Sequence, residues 1–267
     1  MKVEENKCKS IISDSALYGV DYSINPYTGC EHGCEYCFAT YMRKYSDHSE
    51  PWGEFVEVKA NARKVLEDDL MEKDKGSILI SAVTDPYQPV EEEYEITRSI
   101  LERLADTKFP VTVLTKSDLI LRDLDLLREF SSDRISVGFT VDFLDGKHRS
   151  PWEPKSTGIE DRIEALEKIS EEGIDTYAHV GPYLPSITDL ERILDRLGAY
   201  IVELQVENLS MRDNEGRILK VVRAHYPDLE GVYEGIRRSP EKHALQIRGK
   251  VEELRPEFET PISLFLD

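Results

Sequence analysis

Short β-branched runs and helical patterns alternate along most of this chain, and that alternation constrains the fold more than any other feature. The runs are YSIN (22–25), FVEVK (55–59), SILIS (77–81), VTVLT (111–115), ISVGFT (135–140), DTYAHVG (175–181) and YIVELQV (200–206). Helical patterns fall between them over 60–73, 94–107, 122–130, 159–172 and 187–197. The clearest is 156–173, where Ile163, Leu166 and Ile169 recur at helical spacing and Gly173 closes the segment. Strand and helix in alternation mean parallel βα units. The pattern predicts an α/β fold built as a complete or partial (β/α)6-type TIM barrel, with a doubly wound open sheet as the alternative. From about residue 207 the alternation stops. Residues 1–206 therefore read as the core, and 207–267 as a charged, mostly helical extension over the barrel's open side or bottom.

With 267 residues and 40% apolar side chains, the chain can bury a core without a disulfide frame. The formal net charge of −19 argues against broad nucleic-acid binding, which needs clustered Lys and Arg. No run of eighteen apolar residues occurs, so no membrane span is expected. The opening MKVEENKCKS lacks the apolar stretch of a secretory signal, and the expected compartment is the cytoplasm. In that setting four cysteines point to metal or catalysis rather than to disulfides.

Three of the four are crowded into NPYTGCEHGCEYCFA (25–39), as Cys30-x-x-x-Cys34-x-x-Cys37. Thiolates are soft ligands that select zinc, copper(I) or iron–sulfur clusters. A structural zinc wants a closed set of four. The fourth would be His32, His48 or Cys8, none of them at a finger-like spacing. A [4Fe–4S] cluster fits three cysteines differently, holding three irons and leaving the fourth open. In either fold, function collects on loops after the C-terminal ends of strands. Cys30 follows the first run, Asp85 follows SILIS and Lys116 follows VTVLT, so three polar candidates share one expected face.

The cysteine spacing, with Tyr36 at the aromatic position and a strand before it, resembles the signature of the radical S-adenosylmethionine (SAM) superfamily. The wider segment resembles its spore photoproduct lyase-like branch. SAVTDPYQPVE (81–91), LTKSDLILRDLDLL (114–127), ISVGFTVD (135–142) and HVGPYLPSITD (179–189) look like the same branch. The resemblance implies that Cys30, Cys34 and Cys37 hold a [4Fe–4S] cluster whose open iron binds SAM. It implies Thr84 and Asp85 near the SAM amino group, Lys116 and Ser136 at its carboxylate, Tyr36 at the adenine, and HVGPYLP near the adenosine. The implied chemistry is reductive cleavage of SAM to a 5′-deoxyadenosyl radical that abstracts hydrogen from substrate, in an oxygen-sensitive enzyme. An electron donor such as flavodoxin or ferredoxin is the implied partner.

The resemblance stops short of a substrate. Spore photoproduct lyase uses a donor cysteine in the loop matching SAVTD, and this chain has none there; Phe38 also stands where that branch usually has tyrosine. Thymine-dimer repair is therefore not expected. An iron–sulfur electron carrier that does not bind SAM and a colourless zinc-stabilised interaction module are the other classes consistent with three cysteines.

Plainer readings exist for single residues. Asp85 in TDPY is a common turn starter, Lys116 an ordinary loop lysine before a helix capped by Ser117, and Ser136 a strand serine. Tyr27, Tyr87 and Tyr183 fall near the expected mouth, with packing as their default role. Arg43 and Lys44 form a basic spot past the cysteine loop suited to an acidic reductant, and 236–250 is the most basic stretch.

Overall fold

A computed structural model describes residues 1–266. Eight strands make the main sheet, in the order β11-β10-β9-β8-β7-β6-β3-β2. They are β2 (Ile12–Asp14), β3 (Tyr22–Ile24), β6 (Ile78–Ile80), β7 (Val111–Thr115), β8 (Ile135–Thr140), β9 (Asp175–Tyr183), β10 (Glu203–Asn208) and β11 (Ile262–Phe265). Every pairing from β3 to β11 is parallel, and only β2 runs antiparallel, against β3. Among the described residues β2 and β11 are the edges of this sheet, an α/β arrangement of the kind the alternation predicts.

Six of the seven strand-like runs lie in that sheet. The seventh does not. FVEVK forms β5 (Phe55–Lys59) of a separate small sheet, between β1 (Lys2–Asn6) and β4 (Tyr27–Thr28). Phe55 packs in the cluster that holds Cys30, whereas Val56 and Val58 on the other face join the main core, and all three are fully buried.

The helices follow the apolar stripe. In Ile159–Glu171, Ile159, Ile163, Leu166 and Ile169 are all buried, at i, i+4, i+7 and i+10. Leu190–Leu197 starts where the Asp189 carboxylate accepts the Arg192 N–H at 3.2 Å, a cap worth about 1 kcal/mol. Central strands buried on both faces read as continuous apolar runs; in β8, Val137 and Phe139 are sealed from solvent.

The last sixty residues are not only helical. Glu215–His225, Glu230–Arg238 and Pro240–Leu254 are helices, but Ile262–Phe265 returns as a parallel edge strand beside β10. The first two of these helices pack on the cysteine loop itself. Ile218, Leu219, Val222, Tyr233 and Ile236 share one apolar cluster with Cys34 and Tyr36. Among the described residues no helix is long and apolar enough to cross a membrane.

Candidate functional site

The cysteine loop leaves β4 through Gly29, whose φ is +90° and where a Cβ would lie 2.4 Å from the Phe55 carbonyl oxygen. Only glycine allows this backbone to pass so close to β5. Gly53 does the same on the far side, where a Cβ would come within 2.8 Å of the Gly33 Cα. Between these contacts all three cysteines are free thiols, Cys30 and Cys34 buried and Cys37 half-buried. Burial pushes each thiol up from its ordinary pKa; Asp85 adds to this at Cys30, and Lys116 opposes it at Cys34 and Cys37.

Side chains from across the sequence clamp the loop. Glu31 accepts the Val90 N–H at 2.6 Å, and its own N–H donates to Gln88 Oε1 at 2.9 Å. Thr84 Oγ1 donates to the Gly29 carbonyl at 2.5 Å and receives Gln88 Nε2 at 2.9 Å. Asn214 Nδ2 donates to the Cys37 carbonyl. Arg217 reaches the Gly33 carbonyl with Nη2 at 3.1 Å and Glu35 Oε2 with Nε at 2.9 Å.

Asp85 sits where the loops after β6 and β7 meet. Its Oδ1 accepts Thr115 Oγ1 at 2.7 Å and the Tyr87 N–H at 2.9 Å, and its Oδ2 accepts the Lys116 N–H at 2.8 Å. His32 Nδ1 lies 3.4 Å from the same Oδ2. Burial alone would raise this carboxyl; the His32 ring and the donated hydrogen bonds outweigh it and hold the pKa at about 2.

Lys116 extends from the end of β7 to a point 5.7 Å from the centre of the Tyr36 ring. Among the described residues its ammonium makes no hydrogen bond and no ion pair closer than 4 Å. Burial works against its charge, yet Cys34, Glu153 and Asp142 hold its pKa above the usual lysine value. Tyr36 OH donates to Asp142 Oδ2 at 2.7 Å and contacts Glu153 Oε1. Glu153 is ion-paired with the buried Arg162, which also donates to the Thr140 carbonyl at 3.0 Å. The two carboxylates are driven apart. Burial and the Glu153 charge raise Asp142, while Arg162 and Lys116 overcome burial and lower Glu153.

The structure thus brings Cys30, Cys34, Cys37, Tyr36, Thr84, Asp85 and Lys116 to one face, at the C-terminal ends of the parallel strands. Ser136 is not brought there. It is the second residue of β8, paired with Thr112, whose hydroxyl is 3.1 Å from its own. The site face begins four residues further on at Thr140, about 13 Å along the strand. The three tyrosines are packing or bonding residues. Tyr27 OH donates to Glu91, Tyr87 OH donates to Asp123 at 3.1 Å, and Tyr183 stands 6.1 Å from the His243 ring. Cys8 lies apart, its N–H donating to Asn61 Oδ1 at 2.9 Å, and His48 stacks on Phe55 beside Glu57.

Asp142, Glu153, Arg162, Asn214 and Arg217 were not singled out in the sequence. GFTVD offered a signal for Asp142, which follows a strand at the right end. Arg162 sits in a helix that reads as an ordinary amphipathic segment.

Among the described residues no group of three or more His, Cys, Asp or Glu side chains is placed to hold one metal ion. The cysteine loop suits a cluster better than a single ion, because a cluster's three thiolates sit on three different irons. Among the described residues one buried donor at this loop, Arg217 Nη1, lacks a hydrogen-bond partner, and the Trp52 ring packs with Cys30 and Cys37. Such a donor matches the sulfur acceptors that a cluster would bring.

Residues 24–197 match the family described as the Radical SAM superfamily. An uncharacterized protein of Methanocaldococcus jannaschii is 39% identical over 188 residues, 70% of each chain. An uncharacterized protein of Mycobacterium tuberculosis is 32% identical over 71% of this chain and 58% of its own. Among solved structures, a mutant spore photoproduct lyase with bound AdoMet and dinucleoside spore photoproduct superposes with a TM-score of 0.62. The identity is 16%, over 84% of this chain and 66% of that one, a likeness of fold.

Proposed function

The chain belongs to the radical SAM superfamily, and from that we propose that it cleaves SAM reductively at a [4Fe–4S] cluster held by Cys30, Cys34 and Cys37. When bound, the cluster supplies the electron that splits SAM into methionine and a 5′-deoxyadenosyl radical, which takes a hydrogen atom from substrate. The observation that carries the reading is the Lys116 ammonium, which stands beside a loop of three free cysteines with no hydrogen-bond partner among the described residues.

In this reading Lys116 binds the SAM carboxylate, a charge-assisted contact that its present surroundings leave open. Tyr36 sets the floor under Lys116 and closes the adenine side. Thr84 and Asp85 shape the pocket for the SAM amino group, Asp85 by fixing the Lys116 amide and the His32 ring. Ser136 has no part in it, given its place low on β8. The packing of Ile218, Leu219 and Tyr233 on Cys34 and Tyr36 keeps water from the loop.

The electron donor, a flavodoxin or ferredoxin, docks on the 3₁₀ helix Phe38–Tyr45 directly after Cys37. That helix carries the exposed side chains of Phe38 and Tyr45, with Arg43 and Lys44 in its last turn. Phe38, Tyr41 and Tyr45 form a continuous aromatic ladder, with centroid steps of 6.5 and 6.4 Å.

The test is anaerobic reconstitution with iron and sulfide, followed by dithionite and SAM. The expected product is 5′-deoxyadenosine in the wild type and none in Cys37→Ala. A reconstituted, reduced protein that makes no 5′-deoxyadenosine would end this reading.

A further inference from the structure

Arg217 has one guanidinium nitrogen that the fold leaves unused. Nε donates to Glu35 Oε2 at 2.9 Å and Nη2 donates to the Gly33 carbonyl at 3.1 Å. Nη1 is shut away from solvent and has no hydrogen-bond partner among the described residues. A buried, unpaired guanidinium N–H costs free energy and calls for an acceptor. Both groups that hold Arg217 lie inside the cysteine loop: Gly33 directly precedes Cys34, and Glu35 sits between Cys34 and Cys37.

Glu35 makes the arrangement more specific. Its N–H donates to the Trp152 carbonyl at 2.8 Å, which fixes its backbone, and its carboxylate takes the Nε edge of Arg217. A positive and a negative charge are thereby held in one bonded pair at the cysteine loop, each about a third exposed. Such a pair is a dipole that sets local potential, and removing either end unbalances it in a known direction.

We propose that Arg217 and Glu35 together set the reduction potential of the cluster, Arg217 raising it through its charge and its free Nη1 donor, and Glu35 offsetting part of that charge. Both are positioning residues. A cluster gains negative charge on reduction, so a nearby cation and an N–H directed at sulfur favour the reduced state. The inference rests on the cluster reading above and deepens it.

The experiment is anaerobic redox titration of the reconstituted full chain without SAM, following the reduced cluster by electron paramagnetic resonance. Arg217→Gln should lower the ratio of reduced to oxidised cluster at a fixed potential at least threefold, and Glu35→Gln should raise that ratio by a similar factor. At 59 mV per decade for one electron, threefold is about 28 mV. Arg217→Lys keeps the charge but not the planar donor, and should fall between Arg217→Gln and the wild type. Iron content must match the wild type in each variant. Where Arg217→Gln fails to load iron, Glu35→Gln and Arg217→Lys carry the test. Unchanged potentials, or shifts of the same sign in Arg217→Gln and Glu35→Gln, overturn the proposal and leave the cluster reading intact. A wild type that takes up no iron–sulfur cluster sinks the cluster reading instead.

Discussion

His32 Nδ1 lies 3.4 Å from Asp85 Oδ2, both side chains buried, and this contact joins the cysteine loop to the turn after β6. The Asp85 pKa is held at about 2, below its unfolded value of 3.8. Its contribution to stability is therefore complete above about pH 4 and is lost as pH falls toward 2. The fall from 3.8 to about 2 corresponds to roughly 2.5 kcal/mol. Asp85→Asn should lose roughly that amount in urea unfolding at pH 7, and the gap to wild type should close by about pH 2. A gap unchanged between pH 7 and pH 2 would contradict the assignment.

Lys116→Met removes the cation proposed above to bind the SAM carboxylate while keeping most of the stem's bulk. A charge-assisted hydrogen bond contributes about 1.5–3 kcal/mol, so SAM affinity should fall roughly tenfold to a hundredfold. Equilibrium dialysis against the reconstituted protein measures it, with the visible spectrum as a control for cluster content. Wild-type affinity in this variant would remove Lys116 from the site.

Arg162 and Glu153 form an ion pair with both side chains out of contact with solvent. Removing one partner leaves a buried charge uncompensated, which costs about 3–5 kcal/mol. Arg162→Met should show that loss at pH 7. The double variant Arg162→Met/Glu153→Gln should recover part of it, because the orphaned carboxylate is gone. Additive losses in the double variant would show that the pair is not coupled.

The exposed face of the Phe38–Tyr45 helix separates protein-delivered from small-molecule electrons. Arg43→Glu with Tyr45→Ala should slow 5′-deoxyadenosine formation driven by reduced flavodoxin about tenfold, with a steeper effect at low salt. The dithionite-driven rate should stay at the wild-type level. Equal rates with flavodoxin would place the docking surface elsewhere.

The parallel core was legible because buried strands leave short β-branched runs, and six of these became sheet strands within a few residues of their expected bounds. FVEVK was legible as a strand but not by partner, since pairing to β1 and β4 depends on loop paths that periodicity does not encode. The four residues of β11 were missed because a short edge strand, half-buried along most of its length, carries no alternation to read. Within the site, spacing exposed the cysteines, and strand ends exposed Asp85 and Lys116. Arg162 stayed hidden because a charged residue in a helical stretch looks like a solvent-facing one until the fold turns it inward, and Glu153 because it follows a short helix, Gly146–Trp152, that carries no clear apolar period. Ser136 was misplaced by position on its strand, a matter of four residues, and that distance separates the two ends of a sheet.

Asn214 and Arg217 lie beyond residue 197, where the family match ends, yet they grip Cys37, Gly33 and Glu35. A fragment trimmed to the matched stretch would keep β6, β7, β8 and β9, lose β10, β11 and most of β3, and lose the clasp. Its cysteine loop would swing on a glycine at one end, with the apolar faces of Tyr36 and Trp152 wetted. The cysteine loop is thus secured from both sides of residue 197, and the boundary that sequence kinship draws is not the boundary of what holds that loop in place.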